Sequence, residues 1–211
     1  MILKRIAEGI AAGIMISIGG CVFLTCLKDG NKALGAILFS IALLVICYKG
    51  FSLYTGKIGF IIEKHDKEAF SVLLLGLLGN AIATILIGFA VQYAFSDLQA
   101  VAKTICDAKL TQDFGSALLR SVMCGILMYL AVNIYRENKT IIGILFAIPV
   151  FILSGFEHSI ANMFYFSVSG IVSWNAFGYL WLIVLGNTLG AFIFPLLAMV
   201  GKKKNKKEVK K

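Results

Sequence analysis

Long apolar runs alternate with short polar stretches along the whole chain, at residues 6–27, 33–62, 69–95, 114–135, 140–168 and 174–200. A helix needs roughly 20 apolar residues to cross the hydrocarbon core of a bilayer. The pattern therefore predicts an all-α membrane protein with six transmembrane helices. The second and fifth runs exceed one crossing, and each carries a polar, glycine-bearing interruption. In the second it is Gly50-Phe51-Ser52-Leu53-Tyr54-Thr55-Gly56-Lys57, and in the fifth Ser154-Gly155-Phe156-Glu157-His158-Ser159. A helix broken in hydrocarbon exposes N–H and C=O groups that cost several kcal/mol each unless protein or water takes them. Two breaks are expected only where they line a cavity or pack on one another, the plain alternative being ordinary glycine kinks.

The two halves follow one plan: an ordinary run, a broken run, then a run carrying Gly-Asn, at Gly79-Asn80 and at Gly186-Asn187. Three spans per half force the second half to run inverted relative to the first. Interrupted helices at matching positions of inverted halves are the sequence signature of a transport pathway.

Composition agrees with this reading. Hydrophobic residues make up 59% of the chain and charged residues 15%, with a mean hydropathy of +0.89, whereas soluble domains carry about a quarter charged residues. The formal charge of +9 would suit a nucleic-acid partner, but its distribution excludes one: seven of the 20 basic residues fall in the tail 202–211, directly after the last apolar run. With both termini inside, the inner side holds 14 basic residues and the outer loops four (Lys28, Lys32, Lys103 and Lys109), while Lys49 and Arg120 fall within spans. That asymmetry predicts cytoplasmic termini at the plasma (inner) membrane. The expected organisation is a transmembrane domain over 1–201 and a basic cytoplasmic tail over 202–211.

The five cysteines, Cys21, Cys26, Cys47, Cys106 and Cys124, form no CxxC pair, and four of them lie in apolar runs. They predict neither a disulfide framework nor a metal site. Met1–Arg5 leads straight into an apolar run, so neither a cleavable signal nor a long N-terminal gating segment is expected.

Glu157 and His158 are adjacent ionisable residues at membrane depth, where such groups mark ion paths or proton relays. Histidine is also the side chain that titrates near physiological pH. The residues alone fit equally a structural pair, with a neutral histidine holding the break and Glu157 capping freed backbone N–H groups.

The stretch Ser154-Gly155-Phe156-Glu157-His158-Ser159-Ile160-Ala161-Asn162-Met163-Phe164 resembles the fifth-helix signature of the formate/nitrite transporter family. Leu53-Tyr54-Thr55 is similar to that family's second-helix loop, where a threonine faces the pore histidine. Leu118-Leu119-Arg120, Cys124 and Leu130-Ala131-Val132 resemble its fourth helix, while Gly79-Asn80 and Gly186-Asn187-Thr188-Leu189-Gly190 resemble the third and sixth. The resemblance covers nearly the whole chain in order. It implies an aquaporin-like protomer of two inverted three-helix repeats, a homopentamer with one pore per protomer in the lipid bilayer, and passage of small monovalent anions without any cofactor. By position it makes His158 the pore histidine, Thr55 its partner and Glu157 their neighbour. It assigns Phe39 and Leu43 to a cytoplasmic constriction, Phe151 to an outer one, and Lys4 and Lys109 to the two vestibules. Gly50, Gly155, Asn80, Asn162 and Asn187 support the breaks. Taken singly, Phe39, Leu43 and Phe151 read as packing residues, Lys4 as a topology marker, Lys109 as a loop lysine and Thr55 as a backbone cap. Two departures stand out. The family commonly has Cys-Asn where this chain has Cys124-Gly125, which removes an amide expected beside Glu157, and Lys57 directly follows Thr55-Gly56.

The implied mechanism concentrates anions in charged vestibules and desolvates them between apolar constrictions, where burial favours the neutral acid. Formate or nitrite is the default substrate, with hydrosulfide and short monocarboxylates such as acetate or lactate as alternatives. A water or glycerol channel would carry paired Asn-Pro-Ala boxes, and this chain has neither. A membrane enzyme built on Glu157 and His158 would need more polar partners or a metal cluster, and the other histidine, His65, lies in a charged loop. A subunit without transport activity is the remaining alternative, which a flux measurement separates.

Overall fold

The computed structural model describes the backbone of residues 1–208 and the side chains of residues 1–200. The predicted basic tail, 202–211, lies outside the described side chains, and 209–211 outside the described backbone. In chain order the helices are α1 (Ile2–Lys28), α2 (Lys32–Lys49), α3 (Tyr54–Lys57) continued by a 3₁₀ turn (Ile58–Ile62), α4 (Lys67–Ala94) and α5 (Ser96–Leu110), then α6 (Phe114–Asn138), α7 (Ile142–Leu153), α8 (Ser159–Ser169) and α9 (Trp174–Glu208). Among the described residues there are no strands.

Five helices, α1, α2, α4, α6 and the Trp174–Val200 part of α9, are long and apolar enough to cross a membrane, and α7 is a shorter apolar helix of 12 residues. The second run divides into α2 and α3, and the fifth into α7 and α8, at the polar interruptions. α1 packs against α4 and α2, and α6 against α9 and α7. The helices approach closely where glycines remove side chains: a Cβ at Gly9 would meet the backbone of Gly76 and Gly79, and one at Gly125 would overlap the carbonyl of Asn187. Small residues at such contacts are how helices associate in lipid, where apolar burial gives no preference for protein over tails. Leu74, Leu86 and Phe146 are each more than 60% exposed, an apolar exterior suited to lipid or to further copies of the chain.

Ion pairs tie the polar ends together. At the face carrying Met1, Arg5 pairs with Glu68 at 3.1 Å and Arg136 with Glu63 at 2.9 Å. At the opposite face Lys28 pairs with Asp97 at 2.9 Å. That opposite face also carries α5, which the sequence reading treated as an outer loop. Its buried residues Leu98, Ala102 and Cys106 recur every four positions, one face of a helix, and that face packs on α8. Lys49, placed within a span by the sequence, is an exposed residue in the last turn of α2, where a cation complements the partial negative charge of the helix end.

Candidate functional site

The two breaks are built alike. α2 ends at Lys49 and is followed by Gly50 in a left-handed conformation, φ 70°, while α7 ends at Leu153 and is followed, after Ser154, by Gly155 at φ 68°. Gly50 N–H donates to the Cys47 carbonyl and Phe51 N–H to that of Ile46. Gly155 N–H donates to the Ile152 carbonyl and Phe156 N–H to that of Phe151. This is the left-handed cap that closes a helix C-terminus, and glycine adopts it without a Cβ clash. At Gly155 a Cβ would also crowd Arg120 Nη1, which donates to the Gly155 carbonyl at 3.1 Å.

Beyond each cap a buried asparagine holds the unwound chain. Asn80 Nδ2 donates to the carbonyls of Ser52 and Gly9, and its Oδ1 accepts from Tyr54 N–H. Asn187 Nδ2 donates to the carbonyls of Glu157 and Ser121, and its Oδ1 accepts from Ser159 N–H. Each amide thus satisfies one carbonyl and one N–H at its break and ties them to a carbonyl of a neighbouring unbroken helix, Gly9 in α1 or Ser121 in α6, at 2.8–2.9 Å throughout. An amide suits this position because it both donates and accepts. Next, α3 and α8 begin at Tyr54 and Ser159.

Between the breaks, Thr55 Oγ1 and His158 Nε2 lie 2.9 Å apart, with both residues no more than 3% exposed. His158 is the N-cap of α8, and its Nδ1 accepts from Ala161 N–H at 3.1 Å. A ring nitrogen that accepts carries no proton, so in the neutral ring the proton is on Nε2. Nε2–H then donates to Thr55 Oγ1, and among the described residues the Thr55 hydroxyl proton has no other acceptor. Phe151 stacks on the imidazole at 5.7 Å between ring centres, and Phe39 packs edge-on against Phe151 at 6.4 Å.

Two cavities flank this point. On the Met1 face a space of about 580 Å³ is lined by Leu43, Leu53, Gly56 and Lys57, among others. On the α5 face a space of about 250 Å³ is lined by Phe39, Phe151, His158 and Lys109, among others. Leu43 and Phe39, expected together at one constriction, thus border different cavities. They share a face of α2 but stand one turn, about 6 Å, apart along its axis, enough to put Phe39 beside Phe151.

Glu157, 2% exposed, is fully partnered despite Gly125. Its Oε2 accepts from Asn162 Nδ2 at 2.9 Å and from Lys109 Nζ, and its Oε1 accepts from Gln112 Nε2 at 3.0 Å. Lys109 therefore faces a buried carboxylate across a short ion pair, a partner that compensates the cost of burying either charge. Lys4 differs: its side chain is 81% exposed and stands 4.0 Å from Glu8. Sequence reading missed Gln112, which sits just past α5, and Arg120 as a brace. The signal for Arg120 was a lone charge in an apolar run. No group of three or more potential metal ligands occurs among the described residues.

The family model described as formate/nitrite transporter matches residues 1–201. A probable formate transporter of Methanothermobacter thermautotrophicus is 30% identical, over 90% of this chain and 85% of its own. An uncharacterized transporter of Bacillus subtilis, YrhG, is 26% identical over 96% and 87%. The formate channel FocA of Escherichia coli is 26% identical over 77% of this chain and 65% of its own length. Among solved structures, an FNT family ion channel superposes with a TM-score of 0.82 at 22% identity, covering 95% of this chain and 90% of that one. A pentameric formate channel with formate bound superposes with a TM-score of 0.74 at 24% identity, covering 99% and 98%. The fold is thus the aquaporin-like one of these channels, in a multi-pass membrane protein. With the family model spanning all but its last ten residues, this chain belongs to the formate/nitrite transporter family.

Proposed function

We propose that the protein is a channel or transporter, not an enzyme, that passes small monovalent anions of weak acids, formate or nitrite first among them. The observation that carries this reading is the Thr55–His158 pair lying between two cavities, with apolar side chains on either side. Leu43 and Leu53 form the constriction toward the Met1 face, and Phe39 and Phe151 the one toward the α5 face. An anion leaving either cavity loses its hydration against these side chains, which favours the neutral acid. At the centre, His158 Nε2–H and the Thr55 hydroxyl offer hydrogen bonds to a small oxygen-bearing solute. Holding a second proton on His158 would displace the Ala161 N–H from Nδ1. The histidine therefore serves as a donor, and the proton that accompanies the anion comes from the vestibule water.

The chain assembles as a homopentamer with one pore per protomer; its likeness to a pentameric formate channel with formate bound and its apolar exterior support that assembly. The excess of basic residues at the Met1 end and in the tail supports cytoplasmic termini, in a protein of the plasma (inner) membrane. The matching hydrogen bonds of Asn80 and Asn187 support two inverted three-helix repeats. Stopped-flow flux into proteoliposomes tests the reading. Formate and nitrite gradients produce protein-dependent, saturable flux, while glycerol does not. Glycerol flux with no anion flux would reverse the assignment to a neutral-solute channel.

A further inference from the structure

Lys57 is the charge that the proposed pathway has not used. It ends α3, two residues beyond Thr55, and lines the larger cavity. Its Nζ donates to Ser52 Oγ at 3.0 Å and to the Gly50 carbonyl at 3.4 Å. An ammonium has three N–H donors, so one is left to meet a solute. The other charges around that cavity are largely matched. Arg136 pairs with Glu63, Lys64 with Asp66, and Glu68 with Arg5, while Lys139 lies over the Tyr135 ring. Lys57 takes part in none of the ion pairs among the described residues. Glu8 is the nearby acid, and it is held at one remove: its Oε2 accepts from Ser52 Oγ at 3.1 Å, while Oε1 faces Lys4.

The second break has a counterpart with the opposite outcome. There Asn162 reaches back five residues to Glu157, as Lys57 reaches back five to Ser52. At that break the cation, Lys109, is neutralised by direct contact with the carboxylate. At the first break the hydroxyl of Ser52 separates cation from acid, and the cation stays free to act on the cavity.

We infer that Lys57 is the anion-capturing residue of the larger cavity: it draws monovalent anions to the Leu43–Leu53 constriction and hands them to Thr55. The inference rests on the anion-channel reading. A charge that focuses ions into a cleft with low-dielectric walls raises their local concentration by about 10-fold or more. It acts on entry, not on passage through the dry centre.

The test is formate flux in proteoliposomes for wild type, Lys57→Gln, Lys57→Arg and Glu8→Gln, at low and at physiological ionic strength. Lys57→Gln raises the KM for formate about tenfold while lowering Vmax far less, and salt narrows the difference because it screens the charge. Lys57→Arg recovers most of the loss. Glu8→Gln, which removes the opposing charge, lowers KM, and it reads the same field should Lys57→Gln fail to assemble. A residue that only braces the break would give a salt-independent fall in Vmax with KM unchanged, and that result overturns the inference. Wild-type vesicles without anion flux would overturn the channel reading and this inference together, whereas wild-type flux with an unchanged KM in Lys57→Gln and Glu8→Gln would overturn the inference alone.

Discussion

His158 caps α8 through Nδ1 and reaches Thr55 through Nε2, so one imidazole both holds the second break and faces the first. The two roles separate on mutation. Thr55→Val keeps the shape and removes the hydroxyl. It leaves a buried donor unmet, at a cost of about 1–3 kcal/mol. Formate flux falls about tenfold or more, with little change in the unfolding temperature of the assembly beyond that cost. His158→Ala loses the cap as well, about 1 kcal/mol, and is the less stable of the two in detergent thermal melts. His158→Asn, a good N-cap residue, recovers stability without recovering flux.

Asn187 and Asn80 each hold one donor and one acceptor of a broken helix and one acceptor of an unbroken neighbour. Replacing either by Asp keeps the shape but removes the Nδ2 donors, and it sets a carboxylate oxygen against two carbonyls. Each lost buried hydrogen bond costs about 1–3 kcal/mol, so Asn187→Asp and Asn80→Asp are expected to be as damaging as the alanine variants. Yield of assembled protein on size-exclusion chromatography and its thermal stability check this.

Gly125 marks where sequence comparison and packing disagree in an instructive way. The resemblance suggests an asparagine there, yet a Cβ would strike the Asn187 carbonyl, and Glu157 already takes amide hydrogen bonds from Asn162 and Gln112. Gly125→Asn therefore destabilises the protein by overpacking α6 against α9, by about 1–3 kcal/mol, instead of restoring anything. Gln112→Ala, by contrast, removes a partner of Glu157 and lowers both stability and flux.

Much of this architecture could be read from the chain because membrane helices announce themselves by length. The apolar runs match the five helices long and apolar enough to cross a membrane, and the polar interruptions match the points where the second and fifth runs divide. What the runs could not convey was three-dimensional pairing. α5 escaped because its apolar stripe of Leu98, Ala102 and Cys106 is too short and too interrupted by charge to register as a run. The family resemblance assigns Phe39 and Leu43 to one constriction by position, and only the packing shows that Leu43 borders one cavity and Phe39 the other. The partners of Glu157 escaped because Gln112 lies outside any motif and meets Glu157 only through the fold.

Phe151 stacks on His158 and meets Phe39, which on the proposed pathway makes it the residue that sets the width toward the α5 face. Phe151→Ala opens that passage and admits larger acids. Acetate and lactate flux rise relative to formate, while thermal stability drops by about 3–5 kcal/mol through cavity formation. A competition panel in proteoliposomes measures the change in preference directly.

On the proposed pathway the anion crosses the Thr55–His158 point as its neutral acid. Proteoliposomes loaded with a pH-sensitive dye, exposed to an inward formate gradient, report it most directly. Entry as the acid acidifies the lumen beyond the rate of protein-free vesicles, and Thr55→Val suppresses that excess. Formate uptake without excess acidification, carried instead as a membrane current, would contradict it.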